Sequence, residues 1–291
     1  MPSPHARPHP RPLARGTPVR AALDGALTAI AAAGCETPRL DAELLLAHAL
    51  GVSRERLLID SDLSVAGPAV RTFQDFVRRR SVLREPVAYI LGRRHFRHLE
   101  LEVDPRALIP RPETELLVEV ALTLPNGSCV LDVGTGSGAV ALALKDERPD
   151  LQVTGSDLSG DALELARENG ERLKLDVRWL SADLLLGVPD EFDAILSNPP
   201  YVPDEDRATL AAEILRHEPP SALFAGGDGL DAIRPLIDQA AAHAGVRLLA
   251  LEVGAGQARA VLDLMRAAGF SAVRAERDLA GIERVAVGQR P

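Results

Sequence analysis

The chain has 291 residues, 46% of them hydrophobic, with a formal net charge of −9 and a pI near 5.3. That length supports one large core and one smaller one, and the acidic balance argues against a protein that grips long stretches of nucleic acid. The only cysteines, Cys35 and Cys129, fit free thiols in a reducing compartment better than a disulfide framework, and no apolar run is long enough to span a membrane.

In chain order, residues 1–17 read as a disordered basic tail. Met1 to Leu23 holds no acidic residue, and its prolines (Pro2, Pro4, Pro8, Pro10, Pro12 and Pro18) prevent an amphipathic helix. From Thr17 the pattern turns helical. Thr17 can cap, Pro18 suits the first helical position and Gly34 ends the run, with Val19, Ala22, Leu23, Ala26, Leu27 and Ile30 on one face. Thr37-Pro38 repeats the start signal for a helix ending at Gly51, and Ser53 and Gly67-Pro68 open two more. Arg78, Arg79 and Arg80 read as a solvated helix end and as the best surface for an acidic or RNA partner. A small helical bundle over residues 18–91 results.

Residues 92–111 form a linker. Leu99, Leu101 and Val103 alternate with Glu100 and Glu102, the signature of one arm of a β-hairpin. His95 and His98 lack further ligands at metal spacing, so no metal site is expected.

From residue 112 to 291 strands and helices alternate. A helix covers Leu116, Leu117 and Val120. Strands centre on Val130, Val153, Val177 and Ile195, a fifth spans Val246 to Val253, and two extended runs close the chain. The alternation implies an α/β domain with a mostly parallel sheet and helices on both faces. The stretch from Val202 to Asp228 is the one sizeable irregular part, and it suits a substrate-facing loop.

Three strand ends carry chemistry. The first strand runs into Gly134-Thr135-Gly136-Ser137-Gly138, a turn whose glycines allow positive φ and a close ligand. Its spacing is neither the dinucleotide fingerprint nor a P-loop. The second ends in Asp157, placed to accept ribose hydroxyls. Asp183 and Leu184 follow the third and could border an adenine. The fourth gives Asn198-Pro199-Pro200-Tyr201, where two prolines stiffen the chain and withdraw two donors. What remains is a set of acceptors beside an aromatic ring, suited to a planar amino group. An amide or a base amine would both serve.

This order of strand, glycine loop, strand-Asp, strand-Asp and strand-Asn-Pro-Pro-Tyr resembles S-adenosylmethionine-dependent methyltransferases that act on planar amino nitrogens. Further segments resemble the HemK/PrmC family in particular. They are Arg84 to Gly92, Ile109-Pro110-Arg111-Pro112-Glu113-Thr114-Glu115, His217-Glu218-Pro219, Leu223 to Leu230, and Glu252-Val253-Gly254-Ala255-Gly256-Gln257. The resemblance spans Val19 to Gly288. It implies a Rossmann-like class I methyltransferase domain with a seven-stranded sheet, and a helical N-terminal domain that helps to recognise substrate. It also implies S-adenosyl-L-methionine as cofactor and class I peptide chain release factors as partners, the methyl acceptor being the glutamine amide of their Gly-Gly-Gln motif. A cytoplasmic monomer with no membrane attachment and no stable nucleic-acid partner follows. Within that resemblance Gly134, Thr135, Gly136, Ser137, Gly138, Asp157, Asp183, Leu184 and Asn198 would hold the cofactor. Asn198, Pro199, Pro200 and Tyr201 would hold the amide and carry the chemistry, Tyr201 packing on the amide plane. The alternative is a nucleic-acid amino-methyltransferase that flips adenine or cytosine into the same pocket.

Overall fold

The computed structural model describes residues 16–60, 62–189 and 191–291, in two compact units that divide after Leu91. The tail expected over residues 1–17 therefore lies outside the described residues as far as residue 15. Thr17 does not belong to it. Thr17–Pro18 (β1) pairs antiparallel with Ser64–Val65 (β2), so Thr17 does not act as a side-chain cap and the first helix starts at Val19. Backbone pairing with Val65 has displaced the capping geometry that the Thr-Pro pair suggested.

The N-terminal unit is a bundle of α1 (Val19–Ala32), α2 (Pro38–Leu50), α3 (Arg54–Ile59), α4 (Pro68–Ser81) and α5 (Val87–Leu91). Ile30, Leu45, Leu46, Leu57 and Phe73 meet in its core. Local chemistry sets the helix ends. Ser53 Oγ accepts from the Arg56 N–H, and Gly51 closes α2 in the left-handed conformation. The arginine run at the end of α4 is solvated only at Arg78, with Arg79 half-buried and Arg80 buried. Arg80 is 5% exposed and donates to Asp41 Oδ2 at 2.7 Å, Arg79 is held by Glu85 at 2.5 Å, and Arg78 by Asp75 at 3.2 Å. Each charge meets a carboxylate of the same unit, and removing either partner of the buried Arg80–Asp41 pair would strand the other.

The second unit opens with the hairpin β3 (Arg93–Phe96) and β4 (Leu99–Glu102), which buries Phe96, Leu99 and Leu101. The elements that follow are α6 (Glu115–Ala121), β5 (Cys129–Val133), α7 (Ala139–Glu147), β6 (Gln152–Asp157), α8 (Gly160–Leu173), β7 (Arg178–Ser181) and β8 (Ala194–Ser197). After these come α9 (Ala212–His217), α10 (Ile233–Ala242), β9 (Leu248–Glu252), α11 (Ala258–Ala267), β10 (Ala272–Arg277) and β11 (Glu283–Gln289). Seven strands form one sheet in the order β10-β11-β9-β8-β5-β6-β7. The five from β5 to β9 run parallel, and β11 is antiparallel to both neighbours. The central parallel strands β5, β8 and β9 are buried on both faces, which is why they read as mostly apolar runs. One apolar layer joins α6 and α7 to the sheet and the other joins α10 and α11.

Two features bear on the site. Strand order reverses between β5 and β8, so the loops leaving their C-terminal ends diverge and open a crevice there. Residues 202–228 are more ordered than their sequence indicated. They contain α9 and two short 3₁₀ turns, and Val202 bridges Phe224. The Arg207 guanidinium also lies 3.8 Å from the Phe224 ring centre. Among the described residues no helix is long and apolar enough to cross a membrane, and no three His, Cys, Asp or Glu side chains are grouped to hold a metal. Cys35 and Cys129 are both free thiols.

Candidate active site

A cavity of about 640 Å³ lies at the C-terminal ends of the parallel strands. Gly134, Thr135, Gly136, Ser137, Asp157, Asp183, Leu184, Asn198, Pro199 and Pro200 all line it. The sequence named these ten, from four separate strand ends. Two more of its candidates stand back from the cavity. Gly138 is the left-handed residue from which α7 starts, and a Cβ there would lie 2.9 Å from Leu142 and 3.0 Å from Trp179. Tyr201 packs with the core, its hydroxyl turned to Glu252. It is not among the residues that line the cavity.

The glycine turn is held open from behind. Gly134 and Gly136 have φ of +70° and +57°, and a Cβ on Gly134 would meet nothing within 4 Å. The backbone is thus free of side chains where it faces the cavity. Thr135 donates its hydroxyl to the buried Asp132 at 2.6 Å, and Asp132 Oδ2 also accepts from the Ala141 N–H. Burial pushes the Asp132 carboxyl up to about 7, against these two donors, which favour its ionised form. Asp157 ties the turn to the next strand. Its Oδ2 accepts from the Gly136 N–H at 2.9 Å and its Oδ1 from the Ser159 N–H at 2.9 Å. Burial again raises the carboxyl above the ordinary aspartate range.

Asn198 leaves β8 at the opposite wall. Its Nδ2 donates to Thr114 Oγ1 at 3.0 Å, and the Thr114 hydroxyl donates to Glu252 Oε2 at 2.6 Å. Tyr201 donates to the other oxygen, Glu252 Oε1, at 3.3 Å. Glu252 is 1% exposed, and burial pushes its carboxyl up to about 7. The motif's main chain is also clamped. Gln257 donates to the carbonyls of Tyr201 and Asp228 and accepts from the Gly254 N–H. Gly229 packs so closely that a Cβ would lie 2.2 Å from the Tyr201 carbonyl oxygen. Glu218, also buried, holds Arg111 at 2.6 Å and accepts from the Ile109 N–H, which joins two segments that supply the cavity wall at Pro110 and Pro219.

Thr114, Glu252, Gln257 and Glu218 thus support the site. Their segments stood out in the sequence only through resemblance. No local pattern marks them, because most of their partners are distant in sequence, up to 138 residues away for Thr114 and Glu252.

The segment 21–92 matches the PrmC N-terminal domain model and residues 112–230 match the Methyltransferase small domain model. A release factor glutamine methyltransferase of Deinococcus radiodurans is 42% identical over 277 residues, covering 94% of this chain and 98% of that protein. The chain belongs to the release factor glutamine methyltransferases. A second member, from Burkholderia pseudomallei, is 44% identical over 87% of this chain and 92% of its own length. Among solved structures, a methyltransferase from Pyrococcus furiosus shares the fold at a TM-score of 0.50 and 20% identity, covering 66% of this chain and 88% of that one. Membership in this family accounts for the pairing of a helical N-terminal unit with a methyltransferase domain.

Proposed function

We propose that the protein transfers a methyl group from S-adenosyl-L-methionine to the side-chain amide nitrogen of the glutamine in the Gly-Gly-Gln motif of class I release factors. The observation that carries this reading is the fixed acceptor at Asn198, set in the same cavity as a side-chain-free glycine turn. The residues present fit the cofactor. Gly134 and Gly136 offer bare backbone for its methionine part, Asp157 keeps lone pairs for ribose hydroxyls, and Leu184 and Leu158 give apolar walls for an adenine. When bound, the cofactor supplies an activated sulfonium methyl, so no protein nucleophile or metal is called for.

The protein's part is to hold and orient the amide. An amide nitrogen is a poor nucleophile because its lone pair is delocalised. Asn198 Oδ1 and the Pro199 carbonyl accept its two hydrogens. That turns the lone pair toward the methyl and stabilises the positive charge that grows on nitrogen. Pro199 and Pro200 keep these acceptors from being claimed by backbone donors of their own. The N-terminal helical unit is assigned to recognition of the release factor, a role that rests on family membership. Release factors act in the cytoplasm, and the reading locates the protein there.

The test incubates the protein with S-adenosylmethionine carrying a labelled methyl and, separately, a release factor, its Gly-Gly-Glu variant, tRNA, rRNA or DNA. Label on the intact release factor alone is expected. Label on nucleic acid would instead favour the base-methylating reading.

A further inference from the structure

An asparagine amide can present either edge, and the two edges have opposite hydrogen-bonding character. The functional reading above needs the carbonyl edge of Asn198 toward the substrate. We propose that Thr114 and Glu252 are positioning residues that lock the Asn198 side chain with its oxygen free for the substrate. This rests on the functional reading and deepens it.

The Thr114 hydroxyl has one hydrogen, and Glu252 Oε2 at 2.6 Å takes it. Thr114 Oγ1 can then meet Asn198 only as an acceptor, so the Nδ2 edge must face it. Glu252 receives a second hydrogen from Tyr201 on its other oxygen. As a carboxylate it accepts from both sides and has no hydrogen to return. The central link is buried, Thr114 being 4% exposed and Glu252 1% exposed, while Asn198 and Tyr201 at its two ends are half-buried, so water has little access to the Thr114–Glu252 pair. Among the described residues no hydrogen bond engages Asn198 Oδ1, which remains the available edge. The reversed amide would place two Nδ2 hydrogens before a substrate group that itself brings hydrogens.

The three links come from three elements that no local sequence joins: the 3₁₀ turn before α6, the end of β8 and the end of β9. Their convergence gives Glu252 a purpose that packing alone does not.

The chain holds three asparagines, Asn126, Asn169 and Asn198, so selective ¹⁵N labelling gives a simple spectrum of side-chain amides. The Asn198 signal is identified by its loss in Asn198→Ala. In the parent its hydrogens should exchange slowly with solvent. In Thr114→Val, which keeps the shape and removes the hydroxyl, exchange should accelerate, and Thr114→Ser should restore protection. Single-turnover methyl transfer should fall about tenfold or more in Thr114→Val and largely recover in Thr114→Ser, with cofactor affinity unchanged in both. All readouts are taken below the lowest melting temperature of the set. Parent-like exchange in Thr114→Val, or Thr114→Ser as impaired as Thr114→Val, overturns the lock. If the parent methylates no release factor, the functional reading fails while the exchange comparison still decides the lock.

Discussion

Asp157 Oδ2 accepts the backbone N–H of Gly136 at 2.9 Å, across the gap between β6 and the turn after β5. The carboxylate expected to face a ribose therefore also holds the glycine turn in shape. Replacing Asp157 with alanine removes both roles. Cofactor affinity should fall by roughly 1–3 kcal/mol, and hydrogen exchange at Gly136 should accelerate. Calorimetry with unchanged affinity would remove Asp157 from the cofactor site.

Asn198→Ala should leave the fold and cofactor binding near parental, because the side chain is only partly buried at a strand end. Methyl transfer should fall on the order of 10²-fold, about 3 kcal/mol, as for other lost preorganised groups. Measuring melting temperature and single-turnover rate on one sample separates this from a turn-forming role, which predicts lost stability with near-normal turnover.

Gly229 has φ of +73°, and a Cβ there would lie 2.2 Å from the Tyr201 carbonyl oxygen. Gly229→Ala should destabilise by roughly 1–3 kcal/mol through strain and should also slow transfer, since the displaced carbonyl belongs to the Asn-Pro-Pro-Tyr segment. Gly227, whose Cβ would meet nothing within 4 Å, is the control that should tolerate alanine. Equal behaviour of the two variants in thermal melts would contradict the packing argument.

Asp132 binds a proton more tightly folded than unfolded, its carboxyl standing at about 7 against an ordinary 3.8. Its contribution to stability therefore declines as pH rises across that window and is constant above it. Both of its donors meet the same oxygen, Oδ2, which an asparagine carbonyl can replace. Asp132→Asn should accordingly gain stability relative to the parent as pH goes from 5 to 8, by on the order of 1 kcal/mol or more. Denaturant titrations of both proteins at the two pH values measure it. A parallel pH dependence would show that Asp132 does not titrate in this range.

Glu252 should set the rate of transfer in the same pH range. It is faced by the Thr114 and Tyr201 hydroxyls, with Glu113 and Arg284 acting on it as nearby charges. Its carboxyl, at about 7, ionises as pH rises. Only the ionised form accepts both hydroxyl hydrogens, so transfer should accelerate through neutral pH. Thr114→Val, which cuts the link to Asn198, should flatten the profile.

The sequence made the parallel sheet legible because strands buried on both faces are largely apolar, as in Ala194 to Leu196 and, but for Asp132, Val130 to Val133. Strand ends were legible because Gly134, Asp157 and Asn198 interrupt those runs with residues a core does not want. Supporting residues were not. Thr114 and Glu252 are 138 positions apart, and nothing local distinguishes this pair from a surface threonine and glutamate. Arg80 misled for a related reason: three arginines in a row signal solvent, and only tertiary packing brings Asp41 to meet one of them. The direction of the Tyr201 ring was not legible either, since aromatic character does not set it and its partner Glu252 lies 51 positions away.

The proline after Asn198 has a chemical consequence beyond geometry. Asparagine ages when the next residue's backbone nitrogen, deprotonated, attacks the side-chain carbonyl and expels ammonia through a succinimide ring. Pro199 has no N–H to lose, so that route is shut at the residue on which the amide chemistry depends. Asn126, exposed and followed by Gly127, has the route open. On prolonged storage the mass gain of deamidation should gather at Asn126, while Asn198 keeps the amide nitrogen that Thr114 holds.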